Sequence, residues 1–299
     1  MSHPHGPLAT LQRRAGRLLF EQVSGGQAGR ERRTRIHTTP GPRWFPADSA
    51  VARVHGDAAM FVGGLRALLL QCLHPLAVAA IADHSDYRTD PWGRLGRTST
   101  FLAETTFATA ADSQRAVDVV RAVHARVHGT APDGTPYTAD DPDLLHWVHT
   151  AEVDSFLLTH QRHGAHPLDG PGCDDYLAQT ATVARRLGTP DPPTHRDALR
   201  HALDRHRPAL ARTTASDDVT HFLLHEPPLP RAARGAYALL AAAAYGSLPA
   251  DARRMLPAPP HVRRPPLPAR QAGQIATRAI RWALAGDPPP GPPPPAGTD

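Results

Sequence analysis

Lysine is absent from this 299-residue chain, so all 33 basic residues are arginines, and they are spread from end to end. The formal charge of +5 and pI near 9.8 therefore do not describe a nucleic-acid face. Arginine recurs beside aspartate, as Asp197 does with Arg196 and Arg200, which is how a solvated surface reads. No nucleic-acid partner is expected. Cysteine is nearly absent as well. Cys72 and Cys173 stand far apart with no CxxC, which excludes a disulfide framework and a thiolate zinc site.

Glutamate is scarce: Glu21, Glu31, Glu104, Glu152 and Glu226, none followed by histidine three residues later. A di-iron carboxylate bundle, which needs paired Glu-x-x-His helices and two more glutamates, is excluded. His124 and His128 are four apart, but Ala125, Arg126 and Val127 between them lack the glutamate base of a zinc peptidase. Dinucleotide, nucleoside-triphosphate and serine-hydrolase motifs are missing too. The longest apolar run, Leu65 to Ala82, is interrupted by Arg66, Gln71, His74 and Pro75, each costly in hydrocarbon, so no membrane span is expected. The N-terminus has an amphipathic stretch but no apolar segment followed by a small-residue cleavage site, and a cytoplasmic location is the expectation.

What is present is a folding composition, 40% hydrophobic and 20% charged, with length enough for one large core. Helical spacing predicts a first helix from Leu8 to Val23, ending at Gly25-Gly26. Ala47 and Asp48 are expected to cap a short helix ending near Gly56. Two helices apolar on nearly every side, Asp57 to Leu73 and Pro75 to about His84, belong in the core. Helices are expected at Trp92 to Phe107 and Ser113 to His128, the latter with a stripe of Ala116, Val117, Val120, Val123 and Val127. Asp133-Gly134 predicts a tight hairpin, and Asp141-Pro142 opens another helix. Five more helices are expected near 172–188, 194–211, 216–225, 230–246 and 266–285. The fold class is all-α with at most one β-hairpin. We divide the chain into an N-terminal helix and linker (1–46), a helical domain (47–286) and a proline-rich, disordered tail (287–299).

Arg94, Arg97 and Thr98 fall at i, i+3 and i+4, so on a helix they share a face, and two guanidiniums side by side ask for an anion. Surface arginines paired with acids have the same spacing. Arg121, His124 and His128 also share a face of the expected 113–128 helix. A histidine beside an apolar stripe faces inward, either as a satisfied core residue or as a ligand. One inward imidazole with arginines nearby fits haem, whose iron needs a strong axial donor and whose propionates need cations.

Three ordered blocks carry a family resemblance: RVHGDAAMFVGGLRALLLQCLHPLAVAAIADHSDYRTDPWGRLGRT, then VRAVHARVHG, then DPDLLHWVHTAEVDS. Together they resemble the DUF2236 domain shared by latex-clearing rubber oxygenases and MpaB-type oxygenases, closely over residues 45 to 165. The resemblance implies a helical bundle around haem b that uses O2 to cleave carbon–carbon double bonds of isoprenoid chains. It implies His124 as the iron's ligand, in the pattern Arg121-x-x-His124. It places Arg94 and Thr98 on the distal side or at a propionate, with Arg97, Arg121 and His128 also against the cofactor. His84, His146 and His149 are second-rank candidates for the distal pocket.

One departure matters. The rubber-cleaving branch carries a lysine able to reach iron where this chain has Arg97, and arginine stays protonated. A lysine-ligated resting form is therefore not expected, and a small olefinic or terpenoid-like substrate is more natural than an extracellular polymer. The alternative is a non-catalytic haem or apolar-ligand carrier of the same fold.

Overall fold

The computed structural model describes residues 6–290. The chain opens with α1 (Pro7–Ser24) and α2 (Gly26–Thr38), joined where Gly25 takes φ 84, a left-handed turn that favours glycine. Next come α3 (Ala50–His55), α4 (Ala59–Gln71), α5 (Pro75–His84), α6 (Pro91–Phe107) and α7 (Ala110–His124). A hairpin of β1 (His128–Thr130) and β2 (Pro136–Thr138) turns at Gly134, and α8 (Pro142–His163) follows. The C-terminal half is α9 (Gly170–Leu187), α10 (Arg196–His206), α11 (Thr214–Leu224), α12 (Arg231–Gly246), α13 (Ala250–Met255), α14 (Pro260–Arg263) and α15 (Ala269–Leu284). The fold is all-α with one short hairpin, as the sequence predicts.

Short polar side chains start these helices where the sequence supplies them. Asp90, Thr109, Asp141 and Asp169 each accept a hydrogen bond from a first-turn amide. The cap of α3 is Ser49, which accepts from Ala52 N, and not the Ala47–Asp48 pair expected. Two further differences follow from weak patterns. α2 was not expected because GQAGRERRTRIHT buries only Gly29 and Ile36 and shows no apolar stripe. α13 and α14 are too short for a helical period to appear. Of the expected tail, residues 291–299 lie outside the described residues.

α8 is the central element, buried along most of its length and packed most extensively against α4. The two helices run antiparallel. Gly63 faces Phe156 and Thr159, Arg66 reaches Asp154 and Ser155, and Gln71 donates to the carbonyl of Val148. A Cβ on Gly63 would sit 2.7 Å from Thr159 Oγ1 and 2.8 Å from Phe156 Cδ1, so glycine is what lets these backbones approach. Arg66, 2% exposed, is compensated by Asp154 at 2.7 Å, Ser155 at 2.7 Å and the carbonyl of Ser247.

α5 leaves α4 at a bend of 107°. Among the described residues no single helix is long and apolar enough to cross a membrane; only the bent α4–α5 pair approaches that composition. Both helices are core, with Leu69, Leu73 and Val78 among the most deeply buried residues.

Candidate functional site

α6 and α7 form a layer of their own. They pack on each other, and on α1, α2, α3 and α9, without packing closely on α4 or α8. α3 bridges the α6–α7 wall and the α4–α8 wall, and the stretch where the two walls make no close helix contact is called the slot.

The α4–α8 wall shows the slot in its side chains. Around α4, Val62, Leu65, Leu69 and Leu70 are buried, whereas Met60, Phe61, Gly64 and Leu68 form one half-buried stripe. Nothing lies within 4 Å of where a Cβ on Gly64 would be. On α8 Val148 and Asp154, which meet α4 directly, are half-buried, and so are His149 and Glu152, one turn apart on a neighbouring face. Because α4 and α8 run antiparallel, the two stripes open to the same side of their contact.

His149 and Glu152 keep accessible surface yet titrate as fully desolvated groups. Burial pushes His149 down to about 3 and Glu152 up to about 7. Nε2 of His149 has no hydrogen-bond partner. Beyond Glu152, buried Tyr176 on α9 lies 3.3 Å from His55 Nε2, whose Nδ1 is 2.8 Å from Thr106 on α6.

On the opposite wall, Ser113, Val117, Val120 and His124 make the inward stripe of α7. His124 is the last residue of α7, with Nδ1 buried and unpartnered. Burial lowers its pKa, only partly opposed by Asp140, so the ring is neutral. A neutral imidazole with an unused nitrogen is the state a metal ligand requires. Buried unpartnered nitrogens also occur on His74, His149, His160 and His163, so this condition alone does not single out His124. Its place at the end of the α7 stripe does.

Arg94, Thr98 and Thr105 run along the inward face of α6. Arg94 is half-buried, its pKa lowered by desolvation and then by neighbouring Arg97. It makes no ion pair with any carboxylate among the described residues. Thr98 lies between Arg94 and buried Thr105 along the helix and is exposed.

Several candidates are placed elsewhere. Arg97 turns aside and pairs at 3.2 Å with Asp90, the cap of its own helix, so the two arginines do not converge on one target. Arg121 is exposed. The helix expected to run to His128 ends at His124, and Val123 is 43% exposed, so the valine stripe divides and Arg121, His124 and His128 do not share a helix face. His128 starts β1 and is exposed. Its carbonyl lies 3.1 Å from Nε2 of exposed His84, a contact that ties the hairpin to α5. His146 is buried against His206, nitrogen to nitrogen at 2.9 Å, a structural pair away from the slot.

No group of three or more His, Cys, Asp or Glu among the described residues is arranged to hold a metal ion. A macrocycle supplies four of iron's donors itself and asks the protein for one or two, so a slot with a single neutral imidazole on one wall fits haem where it would not fit a bare cation.

The family described as ER-bound oxygenase mpaB/B'/Rubber oxygenase, catalytic domain, matches residues 52–283. The chain belongs to this family. The match runs from α3 through nearly all of α15, so the slot and both its walls lie inside the oxygenase domain. As an oxygenase it is an oxidoreductase that takes O2 and an organic substrate. No curated protein and no solved structure matches it. Within this oxygenase domain, sequence reasoning missed Glu152, Tyr176 and His55. Only Glu152 carried a signal: the one glutamate of α8, one turn from His149.

Proposed function

We propose that this domain is a haem b-dependent oxygenase acting on a small apolar, olefinic or terpenoid-like substrate, with oxidative cleavage of a carbon–carbon double bond. The observation that carries the reading is the slot, with a neutral, unpartnered imidazole and an unpaired guanidinium on one wall. Family membership supports the oxygenase class.

When bound, haem supplies dioxygen binding and electron transfer. The chain's own residues do the rest. His124 would hold the iron through a ring nitrogen, and burial favours the neutral ring that such a ligand needs. Arg94, half-buried and without a carboxylate, would neutralise a propionate or a developing negative charge. Thr98 offers a hydroxyl one turn further along the same face. Met60, Phe61 and Leu68 line the slot with apolar surface, which excludes water and seats an apolar substrate. Glu152, its carboxyl pushed up to about 7 by burial, is close to half-protonated at neutral pH and is suited to give up a proton or take one back. Arg97 stays protonated and tied to Asp90, so position 97 contributes charge and no ligand.

The test is the absorption spectrum of the haem-reconstituted protein beside His124→Ala. A Soret band lost in the variant supports His124; a band unchanged in shape and stoichiometry overturns it. Oxygen consumption by the reduced protein with trial terpenoids, followed by analysis of carbonyl products, tests turnover. Haem binding without products from any olefin would identify a carrier.

A further inference from the structure

Away from the slot, α1 and α15 cross closely. A Cβ on Gly16 would sit 2.4 Å from the carbonyl of Ala283, Gln12 Nε2 donates to the carbonyl of Trp282 at 2.8 Å, and Arg33 pairs with Asp287 beyond the end of α15. Their inner faces are thus well used. Their outer faces are not.

On α1, Leu8, Leu11 and Leu18 are 74%, 56% and 58% exposed, and with Ala15 they form one stripe. On α15, Ile275 and Trp282 are two turns apart on an outward stripe and nearly half exposed. Trp282 adjoins the Leu8–Leu11 end of α1 through the Gln12 bond. Isolated exposed leucines are ordinary, but an aligned row of them beside an exposed tryptophan is not. Exposed Arg14 and Arg17 flank the leucine row, and no carboxylate among the described residues pairs with either. Arg13 and Arg17 also line an open depression with Glu21, Arg30, Gly286 and Asp287. Both acids there are already engaged, Glu21 by Arg30 and Asp287 by Arg33. The uncompensated charge of this surface is therefore positive.

An apolar row bordered by unpaired arginines, with an indole at its edge, is the arrangement that seats a helix in the headgroup layer of a bilayer. We propose that the α1–α15 face docks peripherally on an anionic phospholipid surface. Leu8, Leu11 and Leu18 enter the acyl boundary, Trp282 sits at the headgroup level, and Arg14 and Arg17 meet lipid phosphates. A second copy of the chain is a poorer occupant. Two α1 helices apposed along the leucine row would bring Arg14 and Arg17 of both copies together, and the only acid on α1, Glu21, already serves Arg30. Nucleic acid would satisfy the arginines and leave the leucines and Trp282 against water.

The test is co-sedimentation of the full chain with vesicles of phosphatidylglycerol and phosphatidylcholine, and with phosphatidylcholine alone. The expectation is binding to the anionic vesicles, a blue shift of tryptophan emission that is lost in Trp282→Phe, and weakening of roughly tenfold or more at high salt. The triple variant Leu8→Ser, Leu11→Ser, Leu18→Ser and the pair Arg14→Glu, Arg17→Glu should each lose roughly tenfold or more in vesicle affinity. An equal charge change elsewhere, Arg200→Glu with Arg254→Glu, should not. All the substituted side chains are exposed, and unchanged melting temperatures verify the fold. Absence of vesicle binding, equal binding to neutral vesicles, or equal loss in the control pair overturns the proposal. So does a solution dimer that the leucine variant dissociates, or DNA retention that the arginine pair abolishes while vesicle binding persists.

Discussion

Glu152 is the residue at which burial and chemistry pull hardest against each other. Its carboxyl has no ion pair, and desolvation alone raises it from the ordinary carboxylate range to about 7. A raised folded-state pKa means that the folded chain binds the proton more tightly than the unfolded chain. The stabilisation is complete below about 4.5 and is lost as pH rises through 7. Glu152→Gln should therefore raise stability at pH 8 by about 1–3 kcal/mol and change it little at pH 5, as read by thermal melts. Equal effects at both pH values would show that the carboxyl ionises normally. This residue was hard to see in the sequence because its consequence depends on α4 standing open at Gly64, which no local pattern announces. Arg94 and Arg97 were half legible: their spacing shares a face, but Asp90, seven residues before Arg97, claims one of the two. His124 stands on α7 as the spacing predicts, whereas His128 falls in β1 because Val123 and Val127 continue the helical spacing past the point where the backbone turns.

Among the elements, α4 offers a direct comparison between adjacent glycines. Gly63 is pressed against α8, and an added methyl there would meet Thr159 and Phe156 inside contact distance. Gly63→Ala should cost about 1–3 kcal/mol by forcing the two central helices apart. Gly64 faces open space, and Gly64→Ala should stabilise the protein by up to about 1 kcal/mol through helix propensity. Urea unfolding of the two variants separates them; similar losses in both would mean that the slot is closed at Gly64. The helices best predicted were those whose pattern is dictated by burial on all sides or by an Asp-Pro start, as in α4, α5 and α8. α2 escaped notice because its register is set by arginine pairs such as Arg35 with Glu104, contacts made at long range in sequence.

Across the whole molecule, buried imidazoles set the response to acid. His55 and His149 are held near 3, and His163 and His206 near 4, with desolvation the main cause each time. Their folded-state pKa values lie below the ordinary 6.5, so the unfolded chain takes up protons first. Stability should be full above about pH 6.5 and fall as pH drops from there toward 4, as a progressively lower urea midpoint. A midpoint flat between pH 7 and 4.5 would contradict these burial states. The two-layer arrangement has one more outcome. α6 and α7 are fastened by α1, α2, α3 and α9 and not by the central pair, so local opening should reach them before the α4–α8 spine. Amide hydrogens of α6 and α7 should then exchange faster than those of α8, and a ligand seated between the layers should slow them like a wedge that latches a hinged door.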